Sequence, residues 1–291
     1  VIVLPREIAE HVGRDDVVVW DGDPAQPPAG TRFYVPSYMA GEWAFEAMSL
    51  MPELAVCQLP TAGFEHALAH LPAGVTLCNA AGVHDASTAE LAVGLILARL
   101  RRIDDMARAM PAGDFIHERY DALADKRVVI VGVGGIGQAL ARRLAGFECE
   151  VTLVGRTARP GVLGRGDLDS LIPDADVIVL AVPLDHSTRG MVDAAFLSRM
   201  RDGALLVNVA RGAIVHTDAM LAEAGRLSFA LDVTDPEPLP PEHPLWRAPA
   251  VLISPHVGGN TTAFLPRIGQ LVRQQVERWE SGSPLAHVIV S

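Results

Sequence analysis

Three polar residues stand out by their type and by what precedes them. Arg211 follows the apolar run Leu205-Leu-Val-Asn208, Glu237 follows Leu231-Asp232 and a proline-rich turn, and His256 follows Val251-Leu-Ile-Ser254. Each lies just past a run that reads as a buried strand, where ligands bind in a doubly wound sheet. An arginine, a carboxylate and a histidine gathered there have the parts for reversible hydride transfer to a 2-oxo acid. Arg211 can hold the carboxylate and carbonyl of such a molecule in a forked grip. His256 can protonate the carbonyl oxygen as hydride reaches the carbon. Glu237, bonded to the other ring nitrogen, would orient the ring and favour imidazolium. Singly, each has a plain structural role: a salt bridge, a solvated loop acid, a structural histidine like His186, His216 or His243. Their order behind a nucleotide motif favours the chemical reading.

That motif is Val128-Val-Ile-Val-Gly132-Val-Gly134-Gly135-Ile136-Gly137, followed by Gln138-Ala-Leu-Ala-Arg-Arg-Leu144. A β-branched strand, a tight glycine turn and a helix N-terminus make an anion site for a dinucleotide pyrophosphate. Gly132 permits the turn, Gly134 lets the backbone approach the phosphates, and Gly137 lets the helix pack on the strand. The strand before and the helix after give the glycine pattern its force. The next strand ends Val151-Thr-Leu-Val-Gly155-Arg156-Thr157-Ala158-Arg159, with no carboxylate for the adenosine ribose hydroxyls. Gly155 makes room, while Arg156, Thr157 and Arg159 offer donors and positive charge suited to a 2′-phosphate. NADP(H) is therefore favoured, with NAD(H) still possible.

The 291 residues suffice for one large or two ordinary domains, and 49% hydrophobic against 20% charged residues is a globular composition. A balance of 24 basic and 35 acidic residues, net −11, argues against nucleic acid or an anionic membrane as the main partner. The opening Val1-Ile-Val-Leu4 is too short for a signal-peptide core. The longest apolar stretch, residues 91–100, contains Arg99 and is about half a membrane span. Cys57, Cys78 and Cys149 show neither metal-ligand nor redox spacing. They read as reduced core residues of a cytoplasmic protein without a metal.

The chain is α/β throughout. Strand-like runs at residues 1–4, 17–20, 32–35, 55–59 and 75–78 alternate with helical patterns at 6–12, 42–51 and 64–69. Residues 21–30 read as a turn-rich loop. Ser87 or Thr88 is placed to cap a long helix running to about Met110. Strands follow at 150–154, 177–181, 204–208, 228–232 and 251–254, with helices at 167–171, 194–201 and 217–224. The expected organisation is a dinucleotide-binding domain over 95–261, inserted in a domain made of 1–94 and 262–291. A helix at 270–280 and a strand at 287–290 should fold back on the first domain, leaving a cleft between the two.

Along nearly its whole length the chain resembles the D-isomer-specific 2-hydroxyacid dehydrogenases. The resemblance rests on Ala62-Gly63-Phe-Glu, Asn79-Ala-Ala-Gly82-Val83, Thr88-Ala-Glu90, the glycine turn, Val182-Pro183-Leu184, Asn208-Val-Ala210-Arg211-Gly212 and Asp232…Glu237-Pro238…Pro255-His256-Val-Gly258-Gly259. It implies a Rossmann domain inserted in a flavodoxin-like substrate domain, and a homodimer built on the Rossmann domain. It implies that backbone amides at Ala62 and Gly63 take the substrate carboxylate and that Asp232 meets the nicotinamide carboxamide. Gly135 and Ile136 would line the pyrophosphate, with Val182, Pro183, Ala210 and Gly258 also on the nucleotide. The Gly155-Arg156-Thr157 departure is similar to that of NADP-using glyoxylate and hydroxypyruvate reductases. Two alternatives share the fold: a dinucleotide-sensing corepressor-like protein and a phosphite-type oxidoreductase. Formate-type relatives pair the histidine with glutamine, against which Glu237 argues.

Overall fold

The computed structural model describes residues 1–22 and 26–291. Of the turn-rich loop expected at 21–30, residues 23–25 lie outside the described residues. The chain begins with β1 (Ile2–Leu4), α1 (Arg6–Val12), β2 (Val17–Val19), β3 (Phe33–Tyr34), α2 (Trp43–Glu46), β4 (Val56–Gln58), α3 (Glu65–Leu68) and β5 (Thr76–Cys78). It continues with α4 (Asp85–Leu100), α5 (Ile103–Ala109), β6 (Arg127–Val131), α6 (Gly135–Leu144), β7 (Glu150–Val154), α7 (Leu168–Leu171), β8 (Val177–Leu180), α8 (Ala194–Arg199), β9 (Leu205–Asn208), α9 (Thr217–Glu223), β10 (Ser228–Leu231) and β11 (Val251–Ile253). It ends with α10 (Phe264–Glu280) and β12 (Val288–Val290).

These elements form two compact units, Val1–His84 with Thr261–Ser291, and Asp85–Asn260. Sequence reasoning set the first crossing at 94/95; here it falls at 84/85. The reason is packing: Ala89, Ala92, Leu95 and Ile96 of α4 are buried in one cluster with Leu140 and Leu144 of α6 and Val177 of β8. Helix α4 also starts earlier than expected, so Ser87 and Thr88 lie inside its first turns and do not cap it. It stops at Leu100 instead of running to Met110. Arg102 adopts a left-handed backbone (φ 51°). Across the bend Arg99 Nη1 donates to Asp104 Oδ2 at 2.6 Å, with both side chains buried.

In the first unit the sheet order is β12-β5-β4-β3-β1-β2, with every pair parallel except the antiparallel β12–β5. The order β2-β1-β3-β4-β5 is flavodoxin-like. In the second unit it is β11-β10-β9-β8-β6-β7, all parallel. A single parallel bridge, Val154 to Leu163, stands beside β7 where a further strand would lie. Side chains alternate between the two faces of this sheet as strand geometry requires. Val129 and Val131 of β6 join one core cluster, Val128 and Ile130 the other. Both faces are covered, which explains the continuous apolar runs. Helix α10 begins at Phe264, six residues earlier than its expected start, because Pro266 falls in its first turn, where a missing N–H costs nothing.

Burial pushes all three thiols up, Cys78 to about 11, so none is a thiolate at neutral pH. No helix among the described residues is long and apolar enough to cross a membrane. Nor does any group of three His, Cys, Asp or Glu among them have the arrangement to hold a metal ion.

Candidate active site

The second unit carries most of the candidate residues at the carboxyl ends of its strands. The strand order reverses beside β6, with β7 on one flank and β8 on the other, and such a switch point is where open α/β sheets bind ligands. Gly132 ends β6 with φ 115°, and a Cβ there would stand 2.2 Å from the Ala181 carbonyl oxygen. The turn thus runs tightly beside Ala181 and the Val182 amide nitrogen. A Cβ at Gly137 would stand 1.9 Å from the Gly132 oxygen, so only glycine lets α6 approach its own strand. Gly134 is different. Nothing lies within 4 Å of its missing Cβ, and it caps α6, whose first turn is Gly135, Ile136 and Gly137. A close-packed turn beneath open space at a helix N-terminus fits a dinucleotide pyrophosphate.

Three loops bring Arg211, Glu237 and His256 together. Arg211 follows β9, and its turn is held by buried Asn208: Asn208 Nδ2 donates to the Arg211 carbonyl at 2.9 Å, and Asn208 Oδ1 accepts from the Ala210 amide at 3.1 Å. A Cβ at Gly212 would meet the Thr234 carbonyl oxygen at 1.9 Å, so this turn packs directly on the loop that carries Glu237. Glu237 Oε1 is hydrogen-bonded to His256 Nδ1. Burial alone would push the Glu237 carboxyl up. The His256 hydrogen bond and charge, the Thr234 amide and the Arg211 charge outweigh it and hold the group below its usual range. With Nδ1 engaged by Glu237, His256 presents Nε2, which has no partner among the described residues.

His256 itself has a left-handed backbone (φ 52°). For a residue other than glycine this costs on the order of 1–3 kcal/mol, which the surroundings must offset. The offset comes from Asp232, which is buried. Its carbonyl accepts from the His256 amide at 2.8 Å. Its carboxylate accepts from Ser254 Oγ (2.7 Å), the Val257 amide (2.9 Å) and the Gly258 amide (2.9 Å). The histidine loop is thus wrapped around a buried acid.

Past β7, a Cβ on Gly155 would meet Val133 at 3.0 Å and Val162 at 3.1 Å, so this position stays bare. Arg156, Thr157 and Arg159 are exposed. The Arg159 backbone closes a hairpin turn with Val162 (2.9 and 2.8 Å). Arg156 Nη2 donates to Asp185 Oδ2 at 2.7 Å. Arg156 thus has an acidic neighbour.

The model of the family described as "D-isomer specific 2-hydroxyacid dehydrogenase, NAD binding domain" matches residues 93–258. The chain belongs to that family. It is 32% identical over 250 residues to a glyoxylate reductase of Thermofilum pendens, covering 79% of this chain and 73% of that one. The solved NADPH-dependent glyoxylate/hydroxypyruvate reductase of Sinorhizobium meliloti, in complex with NADP and sulfate, is 27% identical with a TM-score of 0.82, covering 99% and 97% of the two chains. The NAD-dependent formate dehydrogenase of Staphylococcus aureus, in complex with NAD, is 27% identical with a TM-score of 0.77, covering 94% and 88%. This chain is therefore an oxidoreductase of the 2-hydroxyacid dehydrogenase type that uses a nicotinamide dinucleotide.

The dehydrogenase's first unit holds the remaining candidates, Ala62 and Gly63. In the loop after β4 three carbonyls are engaged: Thr61 O accepts from the Ala80 amide (2.8 Å), Ala62 O from Asn79 Nδ2 (2.7 Å) and Gly63 O from Thr61 Oγ1 (2.8 Å). The Ala62 and Gly63 amides have no partner among the described residues. Behind the loop lies a network that sequence reasoning missed. Gln275 of α10 donates to Gln58 Oε1 (2.8 Å) and to the Ala286 carbonyl (2.9 Å), and accepts from the Ala286 amide (2.8 Å). Gln58 donates in turn to the carbonyls of Leu59 (2.8 Å) and Asn79 (3.0 Å). Both glutamines are fully buried. A glutamine inside an otherwise apolar strand, and another on the apolar stripe of α10, were the only signals.

Proposed function

We propose that this dehydrogenase reduces a small 2-oxo acid of the glyoxylate or hydroxypyruvate kind, with NADPH preferred. The observation that carries the reading is the Glu237–His256 pair beside Arg211 at the strand ends. The nicotinamide, when bound, supplies the hydride. The chain's own residues do the rest. Arg211 binds and orients the substrate carboxylate and carbonyl through its forked donors. His256 Nε2 delivers a proton to the carbonyl oxygen, while Glu237 keeps Nδ1 engaged and balances the charge that the ring carries. The Ala62 and Gly63 amides add donors for the carboxylate.

Gly132, Gly134, Gly135, Ile136 and Gly137 would hold the pyrophosphate. Val182, Pro183, Ala210, Asp232 and Gly258 would hold the nicotinamide half, and Arg156, Thr157 and Arg159 the 2′-phosphate. The NADPH preference is supported by the absence of a carboxylate at residues 155–159 and by the exposed cations there. Homodimer formation through the second unit is part of the same reading. It is supported by apolar side chains left in solvent on α5 and the segment after it, among them Met110 (75% exposed) and Phe115 (92%). We also place the protein in the cytoplasm, in keeping with three free thiols.

The test is a panel of 2-oxo acids assayed with NADPH and NADH. Turnover of glyoxylate or hydroxypyruvate, faster with NADPH at limiting nucleotide, is expected. Nucleotide binding without consumption would assign the chain to the dinucleotide sensors instead. Oxidation of phosphite alone would move it to that class.

A further inference from the structure

The Arg156–Asp185 ion pair joins two loops on opposite flanks of the glycine turn. Arg156 follows β7, Asp185 lies in the loop after β8, and β6 runs between those strands. The pair therefore crosses the carboxyl end of β6, over the turn read as the pyrophosphate site. Its two partners are held very differently. Asp185 Oδ1 accepts from the Ser187 amide (2.7 Å), Ser187 Oγ (2.6 Å) and the Thr188 amide (3.1 Å), an Asx turn that fixes the carboxylate. The Ser187 hydroxyl and amide, with the Arg156 charge, bring this acid down to about 2, so it stays ionised at every physiological pH. Arg156 is held by one nitrogen, and its side chain is 76% exposed. The guanidinium can swing away; the carboxylate cannot.

We propose that Asp185 sets how sharply the site discriminates between the two nucleotides, by opposing the 2′-phosphate that Arg156 attracts. The inference rests on the reading of Arg156 as a 2′-phosphate ligand. Two effects act in the same direction. Arg156 must exchange one anion for another, so its net gain on meeting a phosphate is smaller than that of an unpaired arginine. The fixed carboxylate, 2.7 Å from Arg156 in the pair, then repels a phosphate that the arginine takes up, an effect that reaches about one Debye length, ~8 Å at physiological ionic strength. Against them stands the tether, which keeps Arg156 near the site. An exposed pair of this kind holds its partners at most about fivefold better than no pair. Removing a unit charge beside a phosphate carrying about −2 outweighs that loss. A nucleotide with a bare 2′-hydroxyl lacks this added repulsion at the ribose, keeping only that of the phosphates common to both nucleotides, and its hydroxyl can donate to the carboxylate. Asp185 thus narrows the preference for NADP(H) and keeps NAD(H) usable.

The experiment is calorimetric titration of the full chain with 2′,5′-ADP and 5′-AMP, two probes that differ by the 2′-phosphate. Asp185→Asn keeps the shape and the turn acceptor and removes the charge. It should bind 2′,5′-ADP about three- to tenfold more tightly, or ~0.6–1.4 kcal/mol, with 5′-AMP changed less than about twofold. The gain should shrink as salt is raised. Asp185→Ser, which also retains an oxygen acceptor for the turn, should show the same gain. Unchanged or weakened binding of 2′,5′-ADP in both variants overturns the proposal. Arg156→Ala separates this from the reading beneath it. A selective loss of 2′,5′-ADP binding in Arg156→Ala, with no gain in Asp185→Asn, defeats the proposal alone. No loss in Arg156→Ala defeats the assignment of the 2′-phosphate site, and the proposal with it.

Discussion

The two units build their candidate sites from opposite materials. In the second unit, the proposed reacting groups are side chains past the carboxyl ends of parallel strands: Arg211 after β9, His256 after β11, and Glu237 in the loop that follows β10. In the first unit, the candidate group is bare backbone, the Ala62 and Gly63 amides, in a loop whose carbonyls accept from Asn79, Ala80 and Thr61. A side chain carries its chemistry wherever the chain takes it, so its type is visible in the sequence. A backbone amide is the same in every residue. It becomes special only when the surrounding fold consumes every neighbouring group and leaves it unpaired.

The sharpest way to break the comparison is to remove the proposed proton donor of the second unit. With His256→Ala, turnover of the oxo acid should fall by about 10²–10⁴-fold, the usual weight of a positioned general acid. Dinucleotide affinity should change by less than about threefold, because the glycine turn is untouched. Near-native turnover would remove His256 from the chemistry. Arg211→Lys is next in size. A point charge replaces a planar fork, so the KM for the oxo acid should rise about tenfold or more, with a smaller change in kcat.

Glu237 gives a smaller effect with a defined sign. Its carboxyl titrates below the usual 4.5, so it stays ionised when free glutamates have begun to protonate. Function or stability that depends on the ionised Glu237 carboxylate is therefore complete above that range and is lost as pH falls through the lowered value. In Glu237→Gln this low-pH limb should disappear from the pH–rate profile, at a reduced plateau. A wild-type limb that persists unchanged in the variant would show that another group causes it.

How much could be read in advance follows the same division. The Gly-x-Gly-x-x-Gly turn, Arg211, Glu237 and His256 were legible because motif spacing and strand patterning place them at strand ends without reference to the rest of the chain. The strand runs were legible because burial on both faces forces unbroken apolar stretches, as in Val177–Leu180. What stayed hidden depends on contacts between distant segments. The break at Arg102 is accompanied by a buried Arg99–Asp104 pair that sits across it, although helical periodicity continues to Met110. Asp185 is an ordinary loop acid until β7 and β8 are known to flank β6. Gln58 and Gln275 are 217 positions apart in the chain, and nothing local in either segment announces the other.

That buried pair supplies the finest test of the comparison. If the first unit's contribution is backbone held by remote amides, then loosening the amides should harm substrate capture without touching proton transfer. Asn79→Ala removes the donor to Ala62 O, and Gln275→Leu leaves Gln58 Oε1 and both backbone groups of Ala286 unpaired. Each orphaned buried group costs about 1–3 kcal/mol of stability, so both variants should melt earlier while remaining folded. The KM for the oxo acid should rise about three- to tenfold, with kcat and the nucleotide KM within about twofold. Gln275→Glu retains two oxygens but loses the donors to Gln58 and Ala286, so it should not rescue. A matched fall in kcat and in every KM would mean that the network only stabilises the unit, and that the Ala62 and Gly63 amides are not poised by it.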